Sequence, residues 1–135
     1  MITQKNIVLP AVSRGYHLIT KNIIEQLGKL PEVGLLNLFL KHTSAALSIN
    51  ENADPSVRYD MEGISDRLIP ESASYSHDLE GSDDMPAHFK SSLMGVSLNI
   101  PIAHGHLDLG TWQGIYLCEF RNCGGNRHLT ATIYY

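Results

Sequence analysis

The segment Trp112–Arg121, WQGIYLCEFR, carries apolar bulk on both of the faces that a strand would present. Side chains alternate along a strand. Gln113, Ile115, Leu117, Glu119 and Arg121 therefore fall on one side, and Trp112, Tyr116, Cys118 and Phe120 on the other. Such a strand has to be central, with a packed layer on each side. Glu119 and Arg121 then mark the polar end of one covered face. A second segment, Gly34–His42 (GLLNLFLKH), alternates more cleanly, with Leu36, Leu38, Leu40 and His42 on a shared face. That places an imidazole at the rim of the core, where it needs a partner, because an unpaired buried polar group costs roughly 1–3 kcal/mol. A backbone carbonyl meets that need as well as a metal does.

The remaining pattern predicts an α+β fold: a mostly antiparallel β-sheet or sandwich with two or three helices packed on it, in a single domain over residues 1–135. ITQKNIVL has strand character and ends at Pro10. Thr20 is positioned to cap a short helix through NIIEQLGKL, with Gly28 near its end. A further strand spans about Ala45 to Ile49. Asp54 followed by Pro55 fits an N-cap with proline in the first helical position. Val57, Met61, Ile64 and Leu68 recur at helical spacing and predict a buried stripe that stops before Pro70, with Asp60 at its border. The stretch from Pro70 to Asp83 is a long polar loop, and loops of this length in compact domains are usually lids or binding loops. Asp83, Asp84 and Pro86 mark another helix start, ending near Gly95. VSLNIPI, HLDLG, WQGIYLCEFR and RHLTATIYY complete the antiparallel part, the last two joined as a hairpin by NCGGN.

A net charge of −4, with no run of Lys or Arg, argues against a phosphate-tracking nucleic-acid surface. No apolar stretch approaches the roughly 18 residues of a membrane span, and the start MITQKNIVLP lacks the build of a signal peptide, so the expectation is a soluble cytoplasmic protein. Cys118 and Cys123 form no CxxC unit and read as reduced thiols. The signatures GxGxxG, GxxxxGK[ST] and GxSxG are missing.

His77 and Glu80 lie in the long loop and His88 in the first turns of the next helix, so a loop and a helix can bring three ligand-capable groups together. Imidazole with carboxylate suits zinc, iron or manganese, whereas magnesium prefers carboxylates and water. Asn50, Glu51 and Asp54 crowd the passage from strand to helix. Capping accounts for Asp54 but leaves Glu51 free for another role. Arg121 and Arg127 near one hairpin end suit a phosphate clamp, and an Arg–Glu pair at the sheet end is an equal alternative. Thr43 and Ser44 offer hydroxyl donors beside His42.

At HTSAALSINENADP, EGSDDMPAHFK and GTWQGIYLCEFRNCGGNR the chain resembles the YjbQ family, also called UPF0047, over essentially its whole length. The resemblance implies a compact α+β protein assembled as a homotrimer, with the polar motif residues gathered into a shared pocket, and a secondary thiamine-phosphate synthase activity. The family's motifs fall on His42, Thr43, Ser44, Asn50, Glu51, Asp54, Asp60, His77, Glu80, His88, Gly110, Trp112, Gln113, Glu119 and Arg127. Where relatives often carry GRL, this chain has Gly105-His106-Leu107, which implies a weaker or pH-dependent hold on an anion.

The expected function is accordingly a transferase of low activity that joins a pyrimidine diphosphate to a thiazole phosphate. A divalent cation, zinc or magnesium, would be held by His42, His77 and His88. Glu51, Asp60 and Glu80 would serve catalysis, and Thr43, Ser44, Asn50, Gln113, Glu119, Arg121 and Arg127 would bind a small phosphorylated metabolite. The alternatives are a metal-dependent hydrolase on the same histidines and a non-catalytic metabolite- or metal-binding trimer.

Overall fold

The strand that is apolar on both faces forms the middle of the molecule. In the computed structural model, which describes all 135 residues, β7 (Gln113–Glu119) lies between β2 (Gly15–Leu18) and β4 (Ala45–Glu51) in a three-stranded antiparallel sheet. Residues 114–120 are all buried. Facing this sheet is a five-stranded one with the order β1 (Ile2–Leu9), β8 (Arg127–Tyr134), β3 (Val33–Leu40), β5 (Ser97–Ala103), β6 (His106–Leu107). The two sheets enclose the main core. Leu36, Leu38 and Leu40 of β3, Leu129 and Ala131 of β8, and Ile115 and Leu117 of β7 meet there, together with Ile23 and Leu27 of α1 (Thr20–Leu27). The opposite face of β7 presents Tyr116 and Cys118, which with Phe120 just beyond the strand join Tyr16, Ala46 and Ala87 in a second cluster. Two helices cover that face: α2 (Pro55–Leu68) lies against β2, and α3 (Asp84–Met94) against β4. Sheet, sheet and helix layers follow directly from one doubly covered strand. Burial pushes the Cys118 thiol up to about 12, so it stays a packing group.

Local chemistry sets the boundaries. Asp54 caps α2, its carboxylate accepting from Ser56 N at 2.9 Å, with Pro55 as the first helical residue. Between β5 and β6 the chain reverses through His104 (φ 51°) and Gly105 (φ 74°), the two positive φ values that a tight two-residue hairpin turn requires.

Five expectations are corrected. β3 ends at Leu40 rather than His42, because the chain bends at Thr43 and Ser44 to pass from one sheet to the other. Thr20 lies inside α1 and spends its hydroxyl on Ile115 N at 2.8 Å, with Ile19 in the cap position. The stripe of α2 is rotated from the apolar pattern, with Ile64 and Leu68 exposed and Ser65 buried. Polar anchoring accounts for the rotation: Arg58 reaches Tyr116, and Asp66 binds Arg14 and Lys90. Asp60 is exposed instead of bordering a buried stripe. Finally, β7 and β8 are not a hairpin. NCGGN carries the chain from the three-stranded sheet across to the five-stranded one, where β8 inserts between β1 and β3.

That crossing explains Gly124. Glu119, with no exposed surface, receives a two-pronged ion pair from Arg127, Nε to Oε1 at 3.0 Å and an Nη nitrogen to Oε2 at 2.5 Å. A Cβ on Gly124 would stand 1.8 Å from Glu119 Oε1 and 2.8 Å from the Arg127 guanidinium. Gly124→Ala is expected to wedge this pair apart. Disrupting a buried ion pair costs about 3–5 kcal/mol, so urea denaturation should show a lower midpoint with a loss of that size.

Candidate metal centre

Asp84, at the first turn of α3, is completely buried although it is an acid. Three nitrogen-bearing side chains surround it. Arg121, just past the end of β7, donates to Oδ1. His77, from the loop before α3, places Nε2 2.6 Å from Oδ2. His88, one helical turn further along α3, places Nε2 3.2 Å from Oδ1. Burial pushes the Asp84 carboxyl up; the His77 hydrogen bond, with Arg121 and His88 beside it, outweighs burial and holds it below the ordinary carboxylate range. The ligand atoms of His77, Asp84 and His88 all lie within 4.8 Å of one another.

The orientation of His88 is fixed from behind. Its Nδ1 lies 2.8 Å from the carbonyl of Thr43. A carbonyl only accepts, so Nδ1 carries the proton, and in the neutral ring Nε2 presents its lone pair to the cluster. A metal-binding histidine commonly has this arrangement: one nitrogen donates to a backbone carbonyl and the other faces the ion. Ligands about 2 Å from a tetrahedral centre are roughly 3.4 Å apart. His88 and Asp84 already have nearly that separation. His77 would have to withdraw by under an ångström, and as a half-exposed loop residue it is free to do so.

The loop that supplies His77 is closed at its neck. Arg14, ahead of β2, binds Glu71 and Asp66, the latter at 2.7 Å, and Ser82 Oγ donates to Glu71 at 3.3 Å, so both ends of the loop converge on one carboxylate. Asp66 also receives Lys90 Nζ at 2.7 Å, which gives that buried ammonium its counter-charge. Asp83 ties the start of α3 to the strand end, accepting from Arg121 Nε and Asn122 N, each at 2.9 Å.

The other residues singled out from the sequence are placed as follows. His42 lies outside the cluster: its Nε2 accepts from His128 N at 2.8 Å, which uses the lone pair a metal would need. Burial first, and then Arg127, His128 and Lys41, lower its pKa. It lines an adjoining groove of about 570 Å³ with Thr43, Ser91 and Ser92, which shares His88 with the cluster. Ser44 is buried and its carbonyl accepts from Arg127. Arg127 and Glu119 satisfy each other, and Arg121 is held by Asp83, Asp84 and the Glu80 carbonyl, so neither arginine is left as a phosphate clamp. Glu80 thus contributes its backbone to the site. Glu51 accepts from Asp54 N at 3.3 Å and Asn50 from Glu51 N at 2.8 Å, both in shaping the entry to α2. Gln113 closes its own turn onto Gly110 N, Asp60 is free on the surface, and Trp112 is 65% exposed. His106 belongs to a different groove, with Ile24, Lys29 and Leu109. Asp84 is a site residue that residue type and local pattern do not single out. Its signal was the spacing to His88, four residues along one helix face, masked by a run of acids that reads as a helix start.

No helix is long and apolar enough to cross a membrane. The model of the family described as UPF0047 protein YjbQ-like matches residues 5–135. The chain is 54% identical over 132 residues to the UPF0047 protein YjbQ of Salmonella typhimurium, and 52% identical over 132 residues to that of Escherichia coli O157:H7, covering 96% of each chain in both cases. Among solved structures it is similar to an uncharacterised protein of the YjbQ/UPF0047 family from Clostridium acetobutylicum, with a TM-score of 0.82 and 36% identity over 96% of this chain and 99% of that one. A YbjQ-like protein of unknown function from Sulfolobus solfataricus shares the fold at a TM-score of 0.85 and 24% identity, over 98% of this chain and 96% of that one. These descriptions carry no assigned activity, which overturns the thiamine-phosphate synthase reading and lends no support to its hydrolase and non-catalytic trimer alternatives. The saturated arginines agree, since a transfer between two phosphorylated substrates needs free cations.

Asp83 and Asp66 both titrate below their ordinary value of 3.8: burial raises each, and their hydrogen bonds and cationic partners lower them further. Folding therefore disfavours their protonation. The stabilisation they provide is complete above 3.8 and is lost as pH falls through the lowered folded values. Denaturation measured from about pH 2 to pH 6 should show stability collapsing at the acid end. Asp83→Asn should be less stable near neutrality and respond less steeply to acid.

Proposed function

The chain belongs to the YjbQ-like UPF0047 family, and we propose that its working element is a divalent transition-metal cation held by His77, Asp84 and His88. The observation that carries this reading is the orientation of His88, whose Nδ1 is held 2.8 Å from the Thr43 carbonyl so that Nε2 faces the buried Asp84 carboxylate at 3.2 Å. Lone pair against carboxylate is unfavourable, and a proton on Nε2 or a cation between the two relieves it. Two imidazoles and a carboxylate favour zinc, iron, cobalt or manganese over magnesium. Three protein ligands leave at least one coordination position for water or for an oxygen atom of a ligand. Arg121 holds Asp84 in orientation by donating to Oδ1, which turns Oδ2 toward His77 and keeps Oδ1 beside His88 Nε2. The homotrimer implied by the resemblance stands as a proposal beside this one, supported by the exposed Ile64, Leu68 and Phe39. Light scattering during gel filtration would give three chain masses if it holds and one if it does not.

Chelator-treated protein titrated with cobalt(II) should take up one equivalent and develop visible d–d absorption. His77→Ala, Asp84→Asn and His88→Ala should each weaken binding at least about tenfold, the scale of metal-site substitutions. His42→Ala should leave it unchanged. Wild-type binding no tighter than that of the triad variants would refute the site, and dependence on His42 would relocate it.

A further inference from the structure

β1 is an outer strand of the five-stranded sheet and pairs with β8 on one side only. On its free side Gln26 of α1 imitates a neighbouring strand: Oε1 accepts from Val8 N at 3.1 Å and Nε2 donates to Val8 O at 2.9 Å. Successive residues of an antiparallel strand alternate the direction of their backbone groups. The free side that exposes Val8 therefore also exposes the N–H and C=O groups of Asn6, Gln4 and Ile2, and no group of the chain takes them. The open length, Ile2 to Asn6, is about 14 Å at the rise of a strand.

Under this stretch, on the core side of β1, is a cavity of about 390 Å³. Leu27, Leu30, Pro31, Ala131 and Ile133 make it apolar, and the only charged side chains lining it are Lys5 and Lys29. Lys5 spends one proton on the Leu27 carbonyl at 2.8 Å, which leaves two of its three free. An added strand would point every second side chain toward this cavity.

We propose that the β1 edge receives an extended, acidic segment of a partner protein as an added strand, anchored by one apolar side chain in the cavity beneath Thr3–Lys5. The three features specify different parts of the ligand. Open backbone groups call for a strand, with main-chain bonds supplying affinity and a pocket supplying selectivity. The apolar lining calls for an aliphatic anchor. Lys5 and Lys29 call for carboxylates two positions either side of that anchor, on the same face. Gln26 fixes where the added strand must stop. The surface is separate from the metal centre and does not rest on it.

A fluorescein-labelled peptide, Ser-Glu-Thr-Leu-Thr-Glu-Ser with blocked ends, serves as the probe, read by anisotropy against the full chain. It should bind saturably. The same peptide with lysine in place of glutamate should bind at least tenfold more weakly, as should Lys29→Glu protein with the acidic peptide. Asn6→Pro removes one outward N–H and no bond to β8, and proline is tolerated at such an edge. Its circular dichroism should match wild type while its peptide affinity drops at least tenfold. Absence of saturable binding by wild type, or equal binding by Asn6→Pro, or equal binding of the lysine peptide, would overturn the proposal. So would an oligomer of this chain that Asn6→Pro dissociates, since the edge would then belong to a second copy.

Discussion

The burial of β7 on both faces organises the molecule. One face must be closed by a sheet and the other by helices, so the strand fixes the layer order and brings the ends of unrelated elements together where it runs out. At that end the chain carries Glu119 and Arg121, charged residues leaving a dry interior. Glu119 meets Arg127 of the facing sheet, and Arg121, past the end of the strand and so released from its alternation, turns to Asp83 and Asp84 at the start of α3. The candidate metal centre is built on the second of these pairings, because Arg121 orients the carboxylate that His77 and His88 approach.

The polar residues of the site form a graded series. Asp84 and Lys90 are buried and each has an opposite charge at hydrogen-bond distance, as burial of charge demands. His88 is half-buried and oriented by a backbone carbonyl. His77 is half-exposed and comes from a loop. The rigid donors lie in the helix and the adaptable donor in the loop, so a small change of separation falls on the part of the structure that resists it least.

Much of the fold was legible because it depends on periodicity. Leu36, Leu38 and Leu40 face inward as alternation requires, and Asp54 with Pro55 starts α2 as cap chemistry requires. What was not legible depends on partners distant in sequence. A Gly-Gly connection fits a hairpin and a crossing between sheets equally well, and only the pairing of β8 with β1 and β3 decides between them. The exposure of Ile64 and Leu68 follows from ion pairs that Asp66 makes with residues 52 positions before it and 24 after it. For the site, His77 and His88 could be picked out by residue type and position. Asp84 could not, since a helix start rich in acids explains it locally, and the alternation that carries His42 toward the core stops at Leu40, two residues short of it.

The closed neck of the loop between α2 and α3 separates its ends from its interior. Arg14 and Ser82 meet on Glu71, so the segment between is a ring whose closure does not depend on what the ring contains. The entropy of closing such a ring grows slowly, by about 0.6 kcal/mol for each doubling of length. Residues 72–81 can therefore lengthen, shorten or change character at little cost to the fold. The scaffold keeps Asp84 and His88 fixed, while the third donor and everything that would surround an incoming ligand are carried on an exchangeable piece. A fold arranged in this way can be refitted for a different ligand by altering one loop.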